Sequence, residues 1–89
     1  MPRVDTNHLD ICATLRRLGA TVYSTSAICH SFPEAVVGYR GYNYLIRIKD
    51  ARKLWELDKD QEEFHSSWKG QIVIIDSIDA AVEWINGFA

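Results

Sequence analysis

Apolar positions along the first third of the chain recur at helical spacing and then give way to alternation. Leu9, Ile11, Cys12, Leu15 and Leu18 form one stripe, which predicts a helix over residues 6–18. Asp5 or Thr6 can cap it, and Gly19 suits the residue just past its end. Arg16 and Arg17 sit where the helix dipole favours cations. Residues 20–27 are β-branched and alternating, so they predict a first strand, followed by a loop from Ile28 to Phe32. Pro33 to Asp50 reads as two strands joined by a tight turn at Arg40-Gly41. Alternation puts Tyr44, Ile46 and Ile48 on one face and Leu45, Arg47 and Lys49 on the other. The first face is wholly apolar and is expected to be buried. The second begins apolar and ends in two cations, and Glu34 lies beside them if the strands pair as a hairpin. That cluster is the candidate functional site.

The second half returns to helical spacing, then to a short apolar run. Residues 51–57 include Arg52, Lys53, Leu54 and Trp55, a basic and aromatic segment able to lean on phosphates or bases. Leu54, Trp55 and Leu57 can equally cover the core or a dimer contact. Asp58 is placed to cap a helix running to about Lys69, with Phe64 and Trp68 four apart on one face. Gly70 is expected to end it. Gln71 to Asp76 is nearly all apolar and reads as a strand buried on both faces. Ser77 can cap a last helix over 78–86, with Ile78, Ala81, Val82 and Ile85 inward and Gly87 after it. The expected architecture is α/β, in the order α-β-β-β-α-β-α, with a mixed central sheet flanked by helices. Residues 1–89 read as a single domain without repeats or linkers.

Composition narrows the class. With 47% hydrophobic residues, 89 residues can build one small core, which a homodimer contact would extend. No run approaches the roughly 20 apolar residues needed to span a bilayer, and Pro2, Arg3 and Asp5 do not look like a signal peptide. The expected location is therefore cytoplasmic, with no membrane partner. Cys12 and Cys29 lack metal or redox spacing and read as reduced thiols, and His30 as a solvated loop side chain. Charge is uneven: residues 1–55 carry eight Lys/Arg against four Asp/Glu, a balance of +4, and residues 56–89 two against eight, a balance of −6. Any nucleic-acid contact is thus expected from the N-terminal half. The acidic group Asp58, Asp60, Glu62 and Glu63 reads as a solvated helix, or as a surface for a basic protein.

Several stretches carry a family resemblance: Arg3-Val4-Asp5-Thr6-Asn7, Pro33-Glu34, Gly38-Tyr39-Arg40-Gly41, Arg47-Ile48-Lys49, residues 60–65 and Trp68-Lys69-Gly70. Together they resemble the PD-(D/E)XK nuclease superfamily, in particular short phage-type enzymes grouped with VRR-NUC and Holliday-junction-resolvase-like proteins. The resemblance covers nearly the whole chain and implies a restriction-endonuclease-like core. It further implies a site in which Asp10 and Glu34 help hold Mg²⁺, Lys49 supports nucleophile and transition-state charge, and Gln61 stands at the edge. Arg40, Arg47, Arg52 and Lys53 would then hold DNA.

The chain departs from that pattern at every acid. Asp10 stands where Glu is usual, Glu34 where Asp is usual, and Arg47 where an acid precedes the strand lysine by two residues. Mg²⁺ demands hard oxygen ligands at about 2.1 Å in near-octahedral geometry, so an arginine reverses what position 47 must supply. Asp50 points to the opposite face by alternation. One reading has the Arg47 guanidinium between Glu34 and Asp10, where the metal would stand, giving an impaired nuclease that binds DNA or a defence or replication enzyme, without cofactor. The other is an active Mg²⁺-dependent endonuclease, structure-selective or resolvase-like, whose missing acid comes from Glu62 or Asp5.

Overall fold

The computed structural model describes residues 6–88. Seven elements follow in order: α1 (Thr6–Arg17), β1 (Thr21–Ser24), β2 (Ala35–Tyr39), β3 (Tyr42–Ile48), α2 (Lys59–Ser67), β4 (Ile72–Ile75) and α3 (Ile78–Asn86). This is the α-β-β-β-α-β-α order expected from the pattern of residues. The four strands form one sheet in the order β1-β2-β3-β4, antiparallel except for the parallel β3–β4 pair. That one parallel pair needs a crossover, which α2 supplies.

Local chemistry sets most boundaries. Gly19 takes φ 103°, with its N–H donating to Arg16 O and that of Ala20 to Leu15 O, a Schellman ending for α1. Both turn residues of the hairpin have positive φ, 50° at Arg40 and 84° at Gly41, as a two-residue turn matching strand twist requires. Asp58 and Gln61 form a reciprocal capping box on α2, and the Ser77 hydroxyl accepts from Ala80 N–H on α3. The proposed Asp5 cap and the Arg3–Asp5 stretch lie outside the described residues.

Two strand expectations need correction. β1 ends at Ser24 rather than residue 27, because Thr25 Oγ1 donates to Pro33 O and Ser24 and Ser26 pair through their hydroxyls. Such side-chain bonds compete with the ladder and start the loop. β4 is not buried on both faces. It is one of the sheet's two edges among the described residues, and Ile74 remains 37% exposed because the nine-residue α2 covers only part of that side. Leu54 is likewise fully exposed and covers no core, while Trp55 Nε1 donates to Asp76. The helix expected to reach Lys69 ends at Ser67, with Trp68 capping it.

One sheet face carries the core. Ala35, Val37, Ile46 and Ile75 pack there with Ile11, Cys12 and Leu15 of α1 and Ala81 and Ile85 of α3. Both cysteines are free, Cys12 inside this cluster and Cys29 exposed. The other face meets α2 at the Arg47 end. No helix among the described residues is long and apolar enough to cross a membrane.

Candidate functional site

Strand alternation brings the site together. With Ala35 opposite Ile46, continuing the hairpin register by one residue sets Glu34 opposite Arg47. Ile46 points into the core, so Arg47 points the other way, towards α2 and the loop before β2. Its side chain is 0% exposed. Nη2 donates to Ser31 O at 2.5 Å, Nε donates to His65 Nε2 at 2.9 Å, and Nη1 lies 3.6 Å from Glu34 Oε2. The Phe64 ring sits 5.9 Å from the guanidinium carbon. One cation therefore ties a loop, a hairpin and a helix. Nη1 has no hydrogen-bond partner of its own, 3.6 Å being too long for one.

The neighbours of Arg47 are also committed. Glu34 Oε1 accepts from the Ile48 N–H at 2.5 Å. Burial pushes this carboxyl above the usual glutamate range, against the opposing pull of that N–H, Arg47 and Lys49. Lys49 Nζ donates to Gln61 Oε1 at 3.1 Å, and the same oxygen accepts from Asp58 N–H at 3.2 Å. Gln61 is thus both a buried partner of the strand lysine and half of the α2 cap. The carboxylate of Asp58 caps α2, pairs with the exposed His30, and feels the charges of Lys49 and Arg47. Its accepted bonds, first from Gln61 N–H and then from His30, hold it below the usual carboxylate range.

Glu34, Arg47, Lys49 and Gln61 are brought together as their positions suggested. Asp10 is not. It lines a separate cavity of about 240 Å³ with Asn7, Asp50, Asp76 and Asp79, because α1 packs on the Ile46 face while Arg47 leaves from the opposite one. The bridge expected between Arg47 and Asp10 is therefore replaced by bonds to Ser31 and His65. Arg47, expected to hold DNA, has no exposed surface with which to do so. Arg40 stands at the far end of the hairpin, roughly 20 Å of strand away, bonded to Phe88 O. Arg52 is exposed but gripped by both Asp50 oxygens at 2.9 and 2.8 Å, and Lys53 is exposed in the turn after β3. Glu62 is exposed on α2, and Asp5 lies outside the described residues. Sequence reasoning missed His65, Ser31 and Asp58. Only Asp58 left a signal, as the cap residue three before Gln61.

His65 yields a pH prediction. It accepts the Arg47 Nε–H and so must be neutral in the fold, and burial, with Arg47 and Lys49 nearby, holds its pKa below the ordinary 6.5. The unfolded chain then takes up the proton first as pH falls. The contribution is complete above about pH 6.5 and declines as pH drops towards the lower folded value. Urea midpoints at pH 7.5 and 5.5 should fall further for wild type than for His65→Gln, which keeps an acceptor that does not titrate. Parallel changes in the two proteins would show that His65 does not carry the pH dependence of stability.

Comparison with known proteins gives one informative likeness. No family model matches the chain, and no curated protein does either. A solved structure described as "VRR_NUC domain" is similar at a TM-score of 0.71 and 17% identity, covering 91% of each chain.

Proposed function

From a chain that has the VRR-NUC type of nuclease fold, we propose a nucleic-acid-binding protein that does not hydrolyse phosphodiesters through this site. The carrying observation is the buried Arg47 guanidinium, seated against Glu34 at the position where the resembling nucleases have an acid. The residues present do not fit Mg²⁺. Glu34 is the single carboxylate on this strand pair, one of its oxygens holds the Ile48 N–H, and two cations flank it. A divalent ion needs several hard oxygen ligands and gains nothing beside fixed positive charge. Among the described residues no group of three His, Cys, Asp or Glu side chains converges on a metal position. Lys53 and the half-exposed Lys49 remain to meet phosphates.

One observation favours the competing reading, an active Mg²⁺-dependent endonuclease with a relocated acid. The Lys49–Gln61 contact is assembled at 3.1 Å, and the Lys49 charge reaches the Asp58 carboxylate. Cleavage of plasmid, flap and four-way-junction DNA with Mg²⁺ or Mn²⁺ separates the two. Wild type should leave all three intact, and its melting temperature should not respond to Mg²⁺. Arg47→Glu should acquire a Mg²⁺-dependent stabilisation, roughly 1.4 kcal/mol at ten times its dissociation constant. Wild-type cutting that Lys49→Ala abolishes would establish the active enzyme instead.

A further inference from the structure

A second concave surface opens on the same sheet face, beyond the reach of α2. Its origin is a mismatch in strand length. β4 begins opposite Leu45, so residues 42–44 of β3 have no partner on that side. The connection from α2 to β4 turns around the gap, anchored where Leu45 N–H donates to Gln71 O. The result is a cavity of about 540 Å³ bounded by Val36, Asn43, Leu45, Trp68, Gly70 and Gln71, with Tyr42, 55% exposed, also at its edge. That volume lies inside the range of small-molecule sites, roughly 300–1,000 Å³.

Its chemistry is distinctive. No charged side chain lines it, which disfavours phosphate or carboxylate as the occupant of the cavity itself. The Trp68 indole is 39% exposed and its plane is fixed. It stacks on Phe64 with centroids 5.4 Å apart and an interplanar angle of 15°, and a Cβ at Gly70 would come within 2.9 Å of Nε1. An aromatic plane held from two sides loses little freedom when something flat lies against it. The amides of Asn43 and Gln71 each offer a donor and an acceptor, as the edge of a nucleobase does. Lys69, the next residue in the chain after Trp68, is exposed. The surface is also continuous with the candidate site, since Phe64 touches both Trp68 and Arg47.

We propose that this notch takes an unpaired nucleobase, stacked on Trp68, so that the protein prefers strands with single-stranded segments or ends over blunt duplex. The inference rests on the nucleic-acid reading above and gives it a substrate class. Paired bases cannot reach the notch, because a base inside a duplex presents no free face.

The test is fluorescence anisotropy with a labelled 12-nucleotide DNA strand, the RNA strand of the same sequence, a blunt duplex, and that duplex with a single-stranded overhang. Wild type should bind the overhang and at least one single strand about tenfold more tightly than the blunt duplex. The DNA and RNA strands tell which sugar the site tolerates. Trp68→Ala should remove that tenfold preference and leave blunt-duplex binding unchanged, whereas Trp68→Phe should keep most of it. Gly70→Ala crowds the indole without deleting it and should weaken single-strand binding by a smaller factor, which covers the case in which Trp68→Ala does not fold. Equal affinity for all four ligands, insensitive to Trp68, overturns this inference and leaves nucleic-acid binding standing. No binding to any of them overturns both.

Discussion

Arg47→Ala is expected to lower the free energy of unfolding by about 3 kcal/mol. For a domain of this length that is a fall of roughly 12–24 °C in melting temperature. The substitution removes the donors to Ser31 O and His65 Nε2 and leaves the Glu34 carboxylate without its guanidinium. Losing one member of a buried pair costs about 3–5 kcal/mol. The lower end applies here for two reasons. The Glu34 side chain is 23% exposed and partly screened by water, and Nη1 lacks a hydrogen-bond partner that the native state would otherwise enjoy. Urea unfolding of Arg47→Ala, Glu34→Gln and the double variant is the check. The double variant should lose less than the two singles added together. A loss below about 1 kcal/mol for Arg47→Ala would mean that the cation merely occupies the space.

Ile46→Ala, one residue earlier on the same strand, should cost about 4 kcal/mol through an unrelated mechanism. Ile46 is 0% exposed, and its neighbours across the sheet are Ala35 and Val73. The small Ala35 cannot grow into the space that the substitution leaves, so most of the cavity penalty persists. The edge residue Ile74, 37% exposed, is the internal comparison, and its truncation should cost under about 1 kcal/mol. Similar losses at both positions would show that the core does not sit on the Ile46 face. The two substitutions on β3 thus report separately on the two sides of one strand.

What the sequence disclosed follows how far each determinant reaches. Gly19, Arg40-Gly41, Asp58 and Ser77 act within a few residues of themselves, and each was legible as an ending, a turn or a cap, although the Gln61 half of the α2 cap was not. The faces of β3 followed from alternation alone. By contrast, nothing local announces that Arg47 meets Ser31, sixteen residues back, or His65, eighteen residues on. Asp10 entered the site only through the family resemblance, and the packing of α1 on the Ile46 face sets it beside Asn7, Asp50 and Asp76. The exposed side of β4 was equally illegible. An apolar tetrad such as Ile72-Val73-Ile74-Ile75 looks the same whether it lies at the centre of a sheet or at its margin.

The three-way grip of Arg47 also bears on ancestry. If an acid once stood at this position, its replacement has since been built upon, because the Ser31 carbonyl and the His65 ring now depend on the arginine for their donors. Restoring a carboxylate would strip both of them and set a second negative charge opposite Glu34 in a partly dry setting. A carboxylate at position 47 would therefore be accommodated only with matching changes in the loop and in α2 as well as on β3. The arginine is thus held in place by its surroundings as much as it holds them.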